Sequence, residues 1–219
     1  MMELNEMDRY KYPRTPHLPW SPGRGQDDKI LPNIQHFIGR DVVVTEKMDG
    51  ENTTLYTDYS HARSIDGRYH PSRAWIKAFH ATIAHHIPDG WRICGENLYA
   101  QHSISYNDLE SYFLAYSVWT DRNEAVDWDT TRSVCETIGI PMVKVLYKGP
   151  FDEVILKNLA NAMDLTKQEG YVVRITNHFK YEDFGTSVAK FVRKGHVNSD
   201  EHWMHQTIIP NRLKHDCNN

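Results

Sequence analysis

The chain has few cysteines, no long apolar run and no surplus of positive charge. Cys94, Cys135 and Cys217 are its three cysteines, odd in number and far apart. They form no C-x-x-C pair, so neither a disulfide framework nor a cysteine zinc site organises the fold. A reducing, cytoplasmic compartment is the expectation. No stretch approaches the ~20 apolar residues of a membrane-spanning helix. The N-terminus is polar and charged rather than signal-like, so no membrane partner is expected. The net charge of -4 argues against a non-specific basic coat for nucleic acid, although a local cluster would suffice for an enzyme. Thirteen histidines invite a metal site. Yet His80, His85 and His86 do not share one helical face, and His202 and His205 have no evident third ligand.

What is present begins with proline. Tyr12-Pro13, Thr15-Pro16, Leu18-Pro19-Trp20 and Ser21-Pro22-Gly23 crowd the first 30 residues. So many prolines exclude a regular helix or a central strand. Residues 1–30 therefore read either as an extended arm on the surface or as an ordered loop beside an active site, with His17, Trp20 and Arg24 facing ligand. The 219 residues suffice for one sizeable core. The whole chain, 1–219, is expected to form a single minimal catalytic domain.

Strand-forming runs recur at Val42–Met48, Thr53–Thr57, Trp91–Leu98, Tyr112–Trp119, Met142–Leu146, Tyr171–Ile175 and Ser187–Val192. Between them lie helical patterns. Ser72–Ile87 carries Trp75, Phe79, Ile83 and Ile87 at i, i+4 spacing, with Ser72 as N-cap and Pro88 as stop. Trp128–Ile138, closed by Gly139, and Phe151–Met163 read as amphipathic helices. The irregular interleaving predicts an α+β fold of mainly antiparallel sheets flanked by helices.

Chemistry enters at Lys47-Met48-Asp49-Gly50. A strand-forming run delivers a primary amine beside a tight turn, where it can attack phosphorus and carry a nucleotide covalently. Alone, K-x-D-G is as readily a hairpin turn with an exposed lysine. Further groups follow in order. Asn52 can donate and accept, or serve the turn. Arg63 can fork onto ribose or phosphate oxygens. Glu96 ends an apolar strand. Tyr112–Val118 is an aromatic strand, one ring of which can stack on a purine. Glu169-Gly170 opens another strand, which later offers Arg174. Lys190, Arg193 and Lys194 line a strand end.

This ordered set resembles the covalent nucleotidyltransferases: ATP-dependent RNA and DNA ligases and mRNA capping enzymes. Lys47–Gly50 looks like motif I, Arg63 like motif Ia and Gly95-Glu96 like motif III. Phe113–Val118 looks like motif IIIa, Glu169–Arg174 like motif IV and Lys190–Lys194 like motif V. Glu46 before the lysine, Asn52 after it and the separation of Glu96 from Tyr116 are most similar to RNA ligases, in the branch typified by the second RNA ligase of bacteriophage T4. The resemblance implies a nucleotidyltransferase fold, and the short stretch after motif V makes an OB domain unexpected. It also implies ATP and Mg²⁺ (or Mn²⁺) as cofactors and RNA with 5′-phosphate and 3′-OH ends as substrate.

Lys47 would carry AMP, with Glu169 and Lys190 as its catalytic partners. Glu46 would lie near the adenine, Glu96 near the ribose, and Tyr116 would stack on the base. Asn52 and Arg63 complete the nucleotide site. The second phosphate-binding cation is Arg193 or Lys194, and Glu169, then Glu96, would serve a metal. Nearby cations and desolvation are expected to depress the Lys47 pKa. A capping guanylyltransferase, a DNA ligase and a nucleotide-binding subunit of a repair complex are the alternatives. The chain leaves little room after motif V for an RNA-binding domain, so a separate end-healing kinase or phosphatase partner is a further expectation.

Overall fold

The computed structural model describes residues 8–65, 70–195 and 207–215. His202 and His205 lie outside them. The strands are β1 (Asp41–Lys47), β2 (Glu51–Leu55), β3 (Ser60–Ala62), β4 (Arg92–Asn97), β5 (Phe113–Trp119), β6 (Glu124–Ala125), β7 (Val145–Pro150), β8 (Gly170–Ile175), β9 (Phe179–Lys180) and β10 (Val188–Val192). The helices are α1 (Ala74–Ile83), α2 (Trp128–Ile138), α3 (Glu153–Ala162) and α4 (Phe184–Ser187).

Two antiparallel sheets form, in the orders β10-β8-β1-β7 and β3-β2-β4-β5-β6-β9. The α+β expectation is met. Val42, Val43 and Val44 are all fully buried, because β1 is central in the first sheet and covered on both faces. At ~1.5–3 kcal/mol for each buried valine, this run anchors the strand that ends in Lys47. One core cluster joins the sheets, with Val42, Val44, Tyr171 and Val173 meeting Cys94 and Trp119. A second lies under α1 and α2, where Ile76, Ile83 and Cys135 pack on Leu55, Ile93 and Val118.

Two expectations need correction. Ser72 does not cap the first helix. Pro71 opens a short 3₁₀ turn in which the His70 ring accepts from the Ser72 amide, and α1 starts only at Ala74. The apolar run Met142–Leu146 is not one strand. Val143 donates to Ala115 in the second sheet, whereas Val145–Pro150 pairs with β1 in the first. By contrast, α2 has the expected bounds, with an Asp127 N-cap and Gly139 in the left-handed region (φ 80°).

The proline-rich segment is an ordered extension of the first sheet. Leu18 donates to the Lys190 carbonyl at 2.8 Å, and the Lys190 amide donates to the Pro16 carbonyl at 2.9 Å. From Pro16 to Leu18 it is extended and borders the strand that carries Lys190.

Candidate active site

Lys47 closes β1 opposite Gly170 of β8. The chain then turns through Met48–Gly50 into β2, and so from the first sheet to the second. Gly50 tolerates no side chain: a Cβ there would sit 2.5 Å from the Asn97 carbonyl oxygen. That close approach lets the Gly50 amide donate to Glu96 Oε1 at 3.2 Å. Gly170 is equally confined. Its φ is 157°, and a Cβ would fall 1.9 Å from the Phe191 carbonyl oxygen. With Gly170 pinned between β1 and β10, Glu169 is presented to the lysine.

Lys47 Nζ donates to Glu169 Oε2 at 2.6 Å. The lysine side chain is 22% exposed and the glutamate 0%, so the ion pair is sheltered from screening. Burial on its own lowers the Lys47 pKa. The carboxylates of Glu169, Glu96 and Asp49, with the Glu169 hydrogen bond, outweigh burial and hold it above the ordinary lysine value. The expected depression is therefore not found at Lys47. It is found at Lys190, through burial first and the Lys47 charge second, with Arg63 adding to it. Glu96 is pushed up to about 8, by burial first and by the charges of Glu169 and Asp49 against the pull of Lys47.

Tyr116 occupies a β-bulge. Cys94 pairs with Ser117 and Gly95 with Ala115, which leaves Tyr116 as the extra residue. Bulges re-aim side chains, and Tyr116 is the one half-buried residue in a strand otherwise buried throughout. Its hydroxyl accepts from Asn52 Nδ2. Its ring meets Tyr12 of the arm edge-on, with centroids 5.3 Å apart. Burial drives the Tyr116 hydroxyl well above its ordinary pKa.

The other expected residues are placed as follows. Glu46 is half-buried in β1, and its charge is felt at the Tyr106 hydroxyl. Arg63 is exposed just beyond β3. Arg193 is half-buried and donates to Ser103 Oγ at 3.1 Å, whereas Lys194 is exposed. Lys47, Glu169, Glu96 and Lys190 thus act on one another, Asn52 and Tyr116 adjoin Glu96, and Arg63, on the exposed side, bears on Lys190. Arg174 does not join them. It donates to the Val126 and Ile175 carbonyls at the far end of β8, and burial lowers its pKa to about 10.

Of the arm residues, His17 reaches the site. It is 1% exposed, bonded to Ser21 Oγ at 2.8 Å, and 3.3 Å from Asp28. Burial and then the Lys190 charge lower its pKa to about 4, so it is neutral. Trp20 instead donates to the Tyr171 hydroxyl at 3.0 Å, and Arg24 is exposed on the Pro19 carbonyl. Tyr12, Asp28 and the Asp49 contacts described below were not legible as site features, because each depends on loops that only the fold brings together.

Glu169, wholly buried, and Glu96, half-buried, both bear on Lys47, and such a pair of carboxylates suits a hard divalent cation. Among the described residues no group of three His, Cys, Asp or Glu side chains is placed to hold a metal ion, so nucleotide phosphates and water would complete any coordination shell. Cavities of about 280 Å³ between β3 and α1, and of about 370 Å³ beside β9, lie away from Lys47. Around Lys47 the side chains engage one another instead.

The RNA ligase family model matches residues 40–192. No curated protein sequence matches the chain. Among solved structures, an archaeal ATP-dependent RNA ligase is similar with a TM-score of 0.59 at 17% identity, over 83% of this chain and 48% of its own. A variant of the Naegleria gruberi RNA ligase with ATP and Mn is similar with a TM-score of 0.53 at 16% identity, over 73% of this chain and 51% of its own. The chain thus spans about half the length of these structures, and the likeness extends to the fold. With 153 consecutive residues matched, from Arg40 through the lysine strand to Val192, the chain belongs to the RNA ligase family.

Proposed function

We propose that the chain is an ATP-dependent RNA ligase that joins 3′-OH and 5′-phosphate RNA ends through a lysyl-AMP and an RNA-adenylate. The observation that carries this reading is the amine of Lys47, fixed at a strand end by a buried carboxylate and faced by Lys190. Family membership supplies the reaction class.

In the first step the neutral Lys47 amine attacks the α-phosphorus of ATP. A P–N bond forms, the bond to the bridging oxygen breaks, and pyrophosphate leaves. A 5′-phosphate oxygen of RNA then attacks the same phosphorus, breaking the P–N bond and returning the electron pair to Lys47. Finally a 3′-hydroxyl attacks the activated 5′-phosphorus and AMP departs. The carboxylates hold a proton on Lys47 that must be shed before attack. Lys190, Arg63 and Arg193 oppose that hold and bind the phosphates. A divalent cation on Glu169 and Glu96 would neutralise charge at the leaving pyrophosphate and offset the carboxylate field at Lys47. Tyr116 provides the stacking ring for the adenine and Asn52 a polar group beside it; Glu46, one place before Lys47 on β1, is the further residue near the base.

The test is incubation with Mg²⁺ and either α-labelled ATP or GTP, followed by sealing of nicked duplexes with RNA or DNA strands. Covalent label from ATP and sealing of RNA ends support the reading. Label from GTP alone, or sealing of DNA alone, contradicts it.

A further inference from the structure

The family match ends at Val192, yet residues 207–215 return to the loop between β4 and β5, which in turn contacts the lysine motif. Asn211 is 1% exposed and is spent entirely on the loop between β4 and β5. Its Nδ2 donates to the Leu98 carbonyl at 2.7 Å, and its Oδ1 accepts from the Tyr106 amide at 2.8 Å. Its own amide donates to the Tyr99 carbonyl at 2.9 Å, and its carbonyl accepts from the Tyr112 hydroxyl at 3.0 Å. A buried asparagine satisfied on both side-chain atoms and both backbone atoms fixes that loop in one position.

The loop in turn grips the residue two places after Lys47. Asp49 is 4% exposed. Its Oδ2 accepts from the Ser103 amide at 2.8 Å, the Ser103 hydroxyl at 2.7 Å and the Ile104 amide at 2.9 Å. Its amide donates to the Tyr106 hydroxyl at 2.9 Å. Tyr106 therefore spans the two anchors, with its amide on Asn211 and its hydroxyl on Asp49. Ser103 Oγ also accepts from Arg193, so the loop ties a phosphate-binding cation to the lysine turn.

The geometry points to Asn211 and Tyr106 as positioning residues for Lys47: they lock the turn that aims its amine. The inference rests on Lys47 being the nucleotide carrier. It goes beyond the motifs, since Asn211 lies outside the matched region and Tyr106 lies in a connecting loop. The loop's apolar side chains, Ile104, Leu109 and Tyr112, pack with Met48 in one cluster, so the polar tether sits on a rigid base.

Tyr106→Phe removes one hydroxyl and keeps the ring, which makes it the informative variant; Asn211→Ala is the second. Three readouts are compared: the rate of lysyl-AMP formation, the sealing of RNA supplied already 5′-adenylylated, and the Lys47 titration midpoint by NMR of ¹³C-labelled lysine without nucleotide. Sealing of adenylylated RNA forms no bond to Lys47, so a misaimed amine spares it. We expect Tyr106→Phe to slow lysyl-AMP formation about tenfold, the upper end of what one net hydrogen bond contributes, because the Asp49 amide is left buried without its acceptor. We expect sealing within twofold of the unaltered chain and a Lys47 midpoint shifted downward as its contact with Glu169 loosens. Equal loss of both activities, or unchanged adenylylation, would overturn the inference. If the unaltered chain takes no AMP, the proposed function fails. The Lys47 midpoint then decides the tether by itself, and an unchanged midpoint in both variants would reject it.

Discussion

Lys47 Nζ and Glu169 Oε2 lie 2.6 Å apart, joined across two neighbouring strands whose register is set by Gly170. The glutamate is wholly buried, so its charge depends on the lysine for compensation. Breaking a buried pair by removing one partner costs roughly 3–5 kcal/mol. The same contact holds a proton on the amine that has to act as nucleophile. Structural need and chemical need therefore oppose each other at this pair.

Glu169→Gln removes the opposing charge while keeping the side chain's shape. The Lys47 titration midpoint should fall below its value in the unaltered chain, because Glu169 is the largest influence raising it against burial. NMR of ¹³C-labelled lysine measures this directly. An unchanged midpoint would show that the ion pair does not govern the amine.

Tyr116→Ala should raise the KM for ATP in lysyl-AMP formation about tenfold, since base–aromatic stacking contributes ~1–3 kcal/mol. Tyr116→Phe keeps the ring and should stay within about threefold, the loss of one neutral hydrogen bond to Asn52. Initial rates against ATP concentration separate the two. Similar KM values for both variants would remove Tyr116 from the base site.

Glu96 gives a pH dependence with a defined sign. Its folded pKa is about 8, against roughly 4.3 in an unfolded chain. The native state then binds the extra proton between those values. Its contribution is complete below about pH 4.3 and is lost as pH rises through 8. Glu96→Gln cannot titrate. In urea unfolding the unaltered chain should therefore lose stability relative to the variant between pH 5 and 9. A constant difference would contradict the half-buried, carboxylate-crowded setting of Glu96.

Gly170→Ala should destabilise the chain by about 1–3 kcal/mol or more, as the new Cβ would fall 1.9 Å from the Phe191 carbonyl oxygen. Urea unfolding midpoints measure it. An unshifted midpoint would mean that β8 can move away from β10, and that Glu169 is not held by this register.

The strand ends that carry Lys47, Glu169 and Lys190 were legible through local signals: a valine run before Lys47, a glycine after Glu169, and cations closing β10. The helices followed from their stripes, and α2 from Asp127 and Gly139 at its ends. The arginine that β8 later offers, Arg174, lies beyond the lysine because four residues of strand rise, at ~3.3 Å each, separate it from Gly170. The pKa of Lys47 was misjudged because three carboxylates converge on it only in the folded chain. The bulge that exposes Tyr116 has no local signature, and it arises where Gly95 lies against the Phe113 ring. Asn211 was invisible for a similar reason: its partners lie about 100 residues earlier.

The most direct test is mass spectrometry of the chain after incubation with ATP and Mg²⁺, with peptide mapping of the adduct. The account predicts a gain of one AMP on Lys47, and no gain in Lys47→Arg, whose guanidinium stays protonated and cannot attack. An adduct on another residue, AMP retained by the Lys47→Arg variant, or no adduct on the unaltered chain would contradict it.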